Sequence, residues 1–129
     1  MDLITVERRE GLKFDISVRG HNVTADLSEE EGGGDQGPSP AELLAGSLGA
    51  CIAIMVQTYC QSHGYDGDVG VSMTVELADE PKRIGRLVVD LELPEGVPED
   101  RMVAIKRVVE RCPIHQTLKN PPALDIEIV

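Results

Sequence analysis

From Leu43 to Tyr65 the chain carries no Asp, Glu, Lys or Arg. The stretch is introduced by Ser39-Pro40-Ala41-Glu42, which reads as a helix start. Ser39 suits the N-cap and Pro40 the first helical position, and Glu42 stands where it completes a capping box with Ser39. Leu44, Leu48, Cys51, Ile52, Met55 and Tyr59 then recur at helical spacing. Ala45, Gly46, Gly49 and Ala50 add a small-residue surface that another backbone can approach. A solvent-facing helix carries charge on its outer side, so this pattern predicts a helix covered nearly all round. His63-Gly64 should close it, with Gly64 in the left-handed position after the last turn.

The rest of the chain has to supply the cover. Residues 3–8 suit a short strand. Leu12, Phe14, Ile16 and Val18 alternate with polar residues, as do Val23, Ala25 and Leu27 after a turn at Gly20, which predicts a hairpin. Ser28 to Pro38 reads as a flexible acidic loop. Val69 to Leu77 and Leu87 to Leu93 are two more alternating runs. A second, amphipathic helix should begin near Pro98 with Glu99 and Asp100 in its first turn, where negative charge is favoured. Its stripe is Met102, Ile105, Val108, Val109 and Cys112, and Pro113 should mark its end. Leu124, Ile126 and Ile128 alternate with Asp125 and Glu127 as a final strand.

This order predicts an α+β fold, with about six strands in a largely antiparallel sheet, a buried central helix and a second amphipathic helix. A length of 129 residues fits a single domain over 1–129. One sheet and one partner helix in so small a domain cannot surround a helix that is apolar on every side. The simplest remedy is a second copy of the chain, so the expected state is a homodimer packed across a two-fold axis.

A formal net charge of −11 argues against nucleic acid and anionic membrane surfaces as partners, because both would be repelled. The apolar run from Leu43 to Val56 is shorter than the roughly 20 residues that span a bilayer. No basic segment followed by an apolar one opens the chain. A soluble, cytoplasmic protein is expected, and three cysteines do not form a secreted disulfide framework.

Cys51 and Cys112 carry the possible chemistry. Each lies on an apolar stripe and should point inward, toward the place where the two helices meet. Two inert core cysteines are one reading, since free cysteine is often buried. The other is a reactive pair, which requires a thiolate and therefore a nearby cation, because burial alone disfavours charge. Arg19 at the tip of the first hairpin is a candidate, as are Arg107, Arg111 and His115. Glu42 has two available roles, holding an arginine in place or serving the capping box. Cys112-Pro113-Ile114-His115 also has a C-x-x-H spacing, but no second close-spaced ligand pair accompanies it, so no metal is expected. Cys60 reads as a packing residue, and His21 and His63 as ordinary loop or helix-end residues. No nucleotide-binding glycine motif or hydrolase motif is present.

The run G-G-G-D-Q-G-P-S-P-A-E-L-L-A-G-S-L-G-A-C ending at Cys51, with C-P-I-H-Q-T-L from Cys112, resembles the osmotically inducible protein C and organic hydroperoxide resistance (OsmC/Ohr) family. The resemblance is closest to its broader OsmC-like branch. It implies an intertwined α+β homodimer with active sites at the subunit interface, and thiol-dependent reduction of organic hydroperoxides. Cys51 would be the peroxidatic cysteine and Cys112 the resolving one, recycled by an external dithiol such as a dihydrolipoyl protein, with no bound cofactor. Arg19 best matches the family's activating arginine. The family's peroxidases carry a glutamate ten residues before the first cysteine, where this chain has Ala41; Glu42 is one place later. A non-enzymatic dimer that binds a small apolar ligand or a reactive sulfur species is the alternative.

Overall fold

The computed structural model describes residues 2–129. The chain forms two compact units, the first ending at Ala45 and the second running Gly46–Val129.

In the first unit β1 (Thr5–Glu10), β2 (Lys13–Val18) and β3 (His21–Ala25) form an antiparallel sheet in the order β1-β2-β3. Val6 pairs with Ile16, Ile16 with Val23 and Phe14 with Ala25, so the alternation read from sequence becomes one apolar face. Glu7, Asp15 and Thr24 pair across the other face, where Arg9 Nε lies 2.6 Å from Asp15 Oδ2. Val18 and His21 pair across the two-residue loop Arg19-Gly20, whose φ values are 51° and 80°. Positive φ at both central residues is the I′ geometry that matches strand twist. Gly20 adopts it freely, whereas Arg19 bears the strain of a side chain in the left-handed region.

The segment after β3 is not the loose acidic loop expected. Glu29–Glu31 form a single 3₁₀ turn, and the buried Asp26 organises its surroundings. Asp26 carboxylate oxygens accept from Leu27 N at 2.7 Å and Gln36 N at 3.1 Å, and Asp26 N donates to Pro38 O at 3.1 Å. The Leu27 N–H bond above all holds this carboxyl below its usual range. A lone aspartate at the end of an alternating run gives no local sign that it will be the hub.

α1 (Pro40–Ser62) begins as predicted: Ser39 N donates to Glu42 Oε1 at 2.9 Å, and Glu42 N donates to Ser39 Oγ at 3.2 Å. In the second unit its Leu48, Ile52, Val56 and Cys60 are buried in a core with Val97, Ile105 and Cys112. The 23-residue helix has the length and apolarity of a membrane span, but this packed face is how a domain uses a core helix. Each fully buried aliphatic side chain contributes about 1.5–3 kcal/mol. Ala45 and Gly49 of the small-residue surface are buried too, and Met73 lies over Gly49, where a Cβ would come within 2.7 Å of its sulfur. Ser47, Ala50, Ile54 and Thr58 line the opposite side and are exposed in a single copy, Ile54 by 66%.

β4 (Gly70–Ala78) and β5 (Arg83–Glu92) form a separate antiparallel pair whose Val71, Met73, Leu87, Val89 and Leu91 pack on this core. Gln57 ties α1 to the approach of β4, accepting from Val69 N at 2.8 Å and donating to Gly67 O at 3.0 Å. A 3₁₀ turn at Glu99–Arg101 leads into α2 (Met102–Glu110), which buries Ile105. Met102, placed in its stripe from sequence, is instead 43% exposed.

Two further expectations are corrected. The second helix does end before Pro113, but Pro113 starts a third one, α3 (Pro113–Lys119). A proline at the first helical position loses no hydrogen bond, which is why Pro40 works in the same place. The sixth strand does not form in a single copy, where the described residues hold five strands in two sheets. Residues 121–129 are irregular, with Leu124, Ile126 and Ile128 exposed by 81%, 88% and 101%.

Candidate redox site

Cys51 is half-buried on the flank of the α1 core face, and Cys112 is fully buried where α2 meets α3. Cys51 packs against the core that holds Cys112, and the Cys112 thiol lies close enough to act on the ionisation of Cys51. The inward placement expected of both cysteines holds in one core, although Cys112 lies beyond the end of α2 rather than on it.

The local architecture around Cys112 explains how. Arg111 caps the end of α2, and Cys112 is already the N-cap of α3, with Pro113 next to it. Cys112 Sγ accepts from His115 N at 3.5 Å. One residue earlier, the Ile114 N–H lies near enough to Cys51 to favour its thiolate. The first turn of α3 thus acts on both sulfurs through its backbone donors. The signal for this in the sequence was Cys112-Pro113 itself, an N-cap followed by proline.

These contacts act on Cys51 in opposite directions. Burial, first of all, pushes its thiol above the ordinary 9.0, and the Cys112 thiol adds to the rise. The Ile114 N–H bond works the other way, because it favours the thiolate. Cys60, also fully buried, is raised by burial alone.

The remaining candidates lie as follows. Arg19 is exposed at its strained turn position in the first unit. Glu42 is engaged in the capping box, and the Ser39 bonds hold its carboxyl below the usual range. Arg107 and Arg111 are exposed along α2, with Arg111 Nε donating to Arg107 O at 3.3 Å. His115 Nδ1 is buried without a hydrogen-bond partner. His63 stacks on Tyr59 at 4.1 Å between ring centroids, closing the helix end. Among the described residues no three His, Cys, Asp or Glu side chains converge as a metal site.

An α+β chain with a core helix and a cysteine pair at a helix junction is the class of protein described so far. The sequence model for OsmC-like proteins matches residues 32–127, and the chain belongs to this family. No curated protein matches the sequence. Among solved structures, a Psychrobacter arcticus 273-4 protein assigned to the osmotic stress and detoxification response aligns with a TM-score of 0.82 at 17% identity, over 91% of this chain and 88% of that one. The organic hydroperoxide resistance protein OsmC of Legionella pneumophila aligns at 0.63 and 19% identity, over 91% and 89%. The organic hydroperoxide resistance protein OhrB of Bacillus subtilis aligns at 0.61 and 18% identity, over 94% and 92%. At these identities the likeness is one of fold.

Proposed function

We propose that the protein is a cysteine-based peroxidase that reduces organic hydroperoxides in the cytoplasm. The observation that carries this reading is the packing of Cys51 against the core that holds Cys112, with the Ile114 N–H favouring the Cys51 thiolate. The fold it shares with two organic hydroperoxide resistance proteins supports the substrate class.

In the first step Cys51 thiolate attacks one peroxide oxygen, the O–O bond breaks, and the alkoxide leaves as alcohol after taking a proton. Cys51 becomes a sulfenic acid. Cys112, in the core against which Cys51 packs, attacks that sulfur; a disulfide forms and water leaves. An external dithiol, such as a dihydrolipoyl protein, then exchanges with the disulfide and returns both thiols. No bound cofactor takes part. The apolar surroundings, Ile52 and Ile114 among them, favour a carbon-bearing peroxide over hydrogen peroxide.

Burial opposes the thiolate, so the reading includes a cation. Arg19 fills that role, and its strained turn position is the kind of conformation retained at functional sites. Glu42, one carboxylate oxygen of which takes the Ser39 N–H, is the anion that steadies it. A second copy completes the fold by covering the exposed Ala50 and Ile54 side of α1, giving a homodimer.

The test is stoichiometric. Reduced protein mixed with excess cumene hydroperoxide should consume one peroxide and lose two thiols per chain, with the new disulfide mapping to Cys51 and Cys112. Cys112→Ser should still consume one peroxide and yield a dimedone adduct on Cys51. If Cys51→Ser consumes peroxide as fast as the parent, the proposal is wrong.

A further inference from the structure

The helices that frame Cys112 carry a charge opposite to that of the chain. Between Met102 and Lys119 stand Lys106, Arg107, Arg111 and Lys119 against one carboxylate, Glu110, whereas the whole chain has a net charge of −11. All four cations are exposed. The ion pairs among the described residues, Arg9–Asp15, Lys13–Glu10 and Arg86–Glu76, engage none of them. Arg107 and Arg111 are one turn apart, and Arg111 Nε donates to Arg107 O at 3.3 Å, so they share one row of α2.

The same face is apolar where that row begins. Val103 is 65% exposed, and Lys106 and Arg107 stand three and four residues after it, where helix side chains are neighbours. Met102, also exposed, adjoins Lys106 in the same way. A face that serves solubility alone intersperses both signs of charge. Exposed apolar side chains beside arginines are instead what protein interfaces bury, and Met and Arg are enriched there. The face ends at the redox junction, because Arg111 directly precedes Cys112 and Cys51 packs against the same core.

We propose that this face of α2 docks the acidic surface of the protein whose dithiol reduces the Cys51–Cys112 disulfide. The inference rests on the peroxidase reading given above and names the surface that its reductant meets. In the exchange the partner's dithiol closes to its own disulfide as both thiols of this chain return.

Charge decides the occupant. The chain as a whole repels an acidic protein, but physiological salt screens exposed charges beyond about 8 Å. A partner that touches α2 therefore meets the local cations, and opposite charge speeds the encounter. A second copy presenting the same face would set cations against cations. Nucleic acid or an anionic membrane would reach past a nine-residue helix to the carboxylates around it, with Glu99 and Asp100 in the preceding turn.

The experiment starts from full-length chain oxidised by cumene hydroperoxide. The return of its thiols is timed with a reduced lipoyl domain of negative net charge and, separately, with dithiothreitol. Replacing Lys106→Glu and Arg107→Glu together should slow the lipoyl domain at least about tenfold at low salt, and the difference should shrink at high salt. Reduction by dithiothreitol, consumption of cumene hydroperoxide and mass in sedimentation should match the parent. A lipoyl domain that leaves the parent disulfide closed, or that reduces parent and variant equally fast, would overturn the docking face. So would an equal loss with dithiothreitol or a changed mass. If peroxide forms no disulfide in the parent, the peroxidase reading falls and the docking face with it; a disulfide whose reduction ignores the charge change removes the docking face alone.

Discussion

The two units of this chain carry sheets of similar pattern and different circumstance. In the second, β4 and β5 press Val71, Met73, Leu87, Val89 and Leu91 against a core that α1 and α2 complete. In the first, the same alternation builds a face whose Val6, Leu12 and Val23 remain half exposed. Alternation specifies that a strand has an apolar side; it does not specify what will sit on it. The unit that carries both thiols packs its sheet on a core within one copy, while the sheet of the unit that carries Arg19 and the Glu42 cap stays open.

The comparison is most severely tested by truncating one residue in each. Ile105, 3% exposed, should cost about 2–5 kcal/mol when changed to Ala, because a filled site becomes a cavity. Val6→Ala should cost under about 1 kcal/mol in a dilute single copy, since little burial is lost. Urea unfolding of both variants reads the difference, and equal losses would erase the contrast between the units.

A smaller effect sharpens it within α1. Gly49→Ala should lose about 1 kcal/mol net, because its Cβ displaces Met73 while the helix gains a better former. Gly46→Ala meets nothing within 4 Å and should gain about 0.5–1 kcal/mol by thermal unfolding of the dilute chain. A loss at Gly46 would mean that its side of the helix is closed by another backbone.

The smallest effect is on pH. Cys51 is raised above the ordinary 9.0, so in the fold it is held neutral. Its contribution to stability is complete below the ordinary thiol value and is lost as pH rises through the higher folded one. Unfolding midpoints should therefore decline above pH 9 in the parent and less so in Cys51→Ser. Glu42, whose carboxyl is lowered by its Ser39 bonds, acts with the opposite sign, and its contribution is lost as pH falls through its folded value.

Much of this arrangement was legible in the chain. Ser39-Pro40-Ala41-Glu42 announced α1 because capping chemistry is local, and the stripes of Cys51 and Cys112 pointed both side chains toward one core. Cys112-Pro113 used the same grammar, yet a cysteine is seldom an N-cap, so α3 and its two backbone donors went unseen. Leu124 to Ile128 showed a strand pattern without a strand because pairing needs a neighbour, and no period within one segment supplies it. Asp26 was missed for the same reason, since its partners Gln36 and Pro38 are brought to it only by the fold.

Cys112 accepts from His115 N–H with the same atom to which the proposed redox role falls, and this governs how it should be replaced. Alanine would remove that acceptor together with the sulfur, so a lower melting temperature would say nothing about chemistry. Serine leaves an oxygen at the head of α3, where hydroxyls are good caps, and subtracts the sulfur alone.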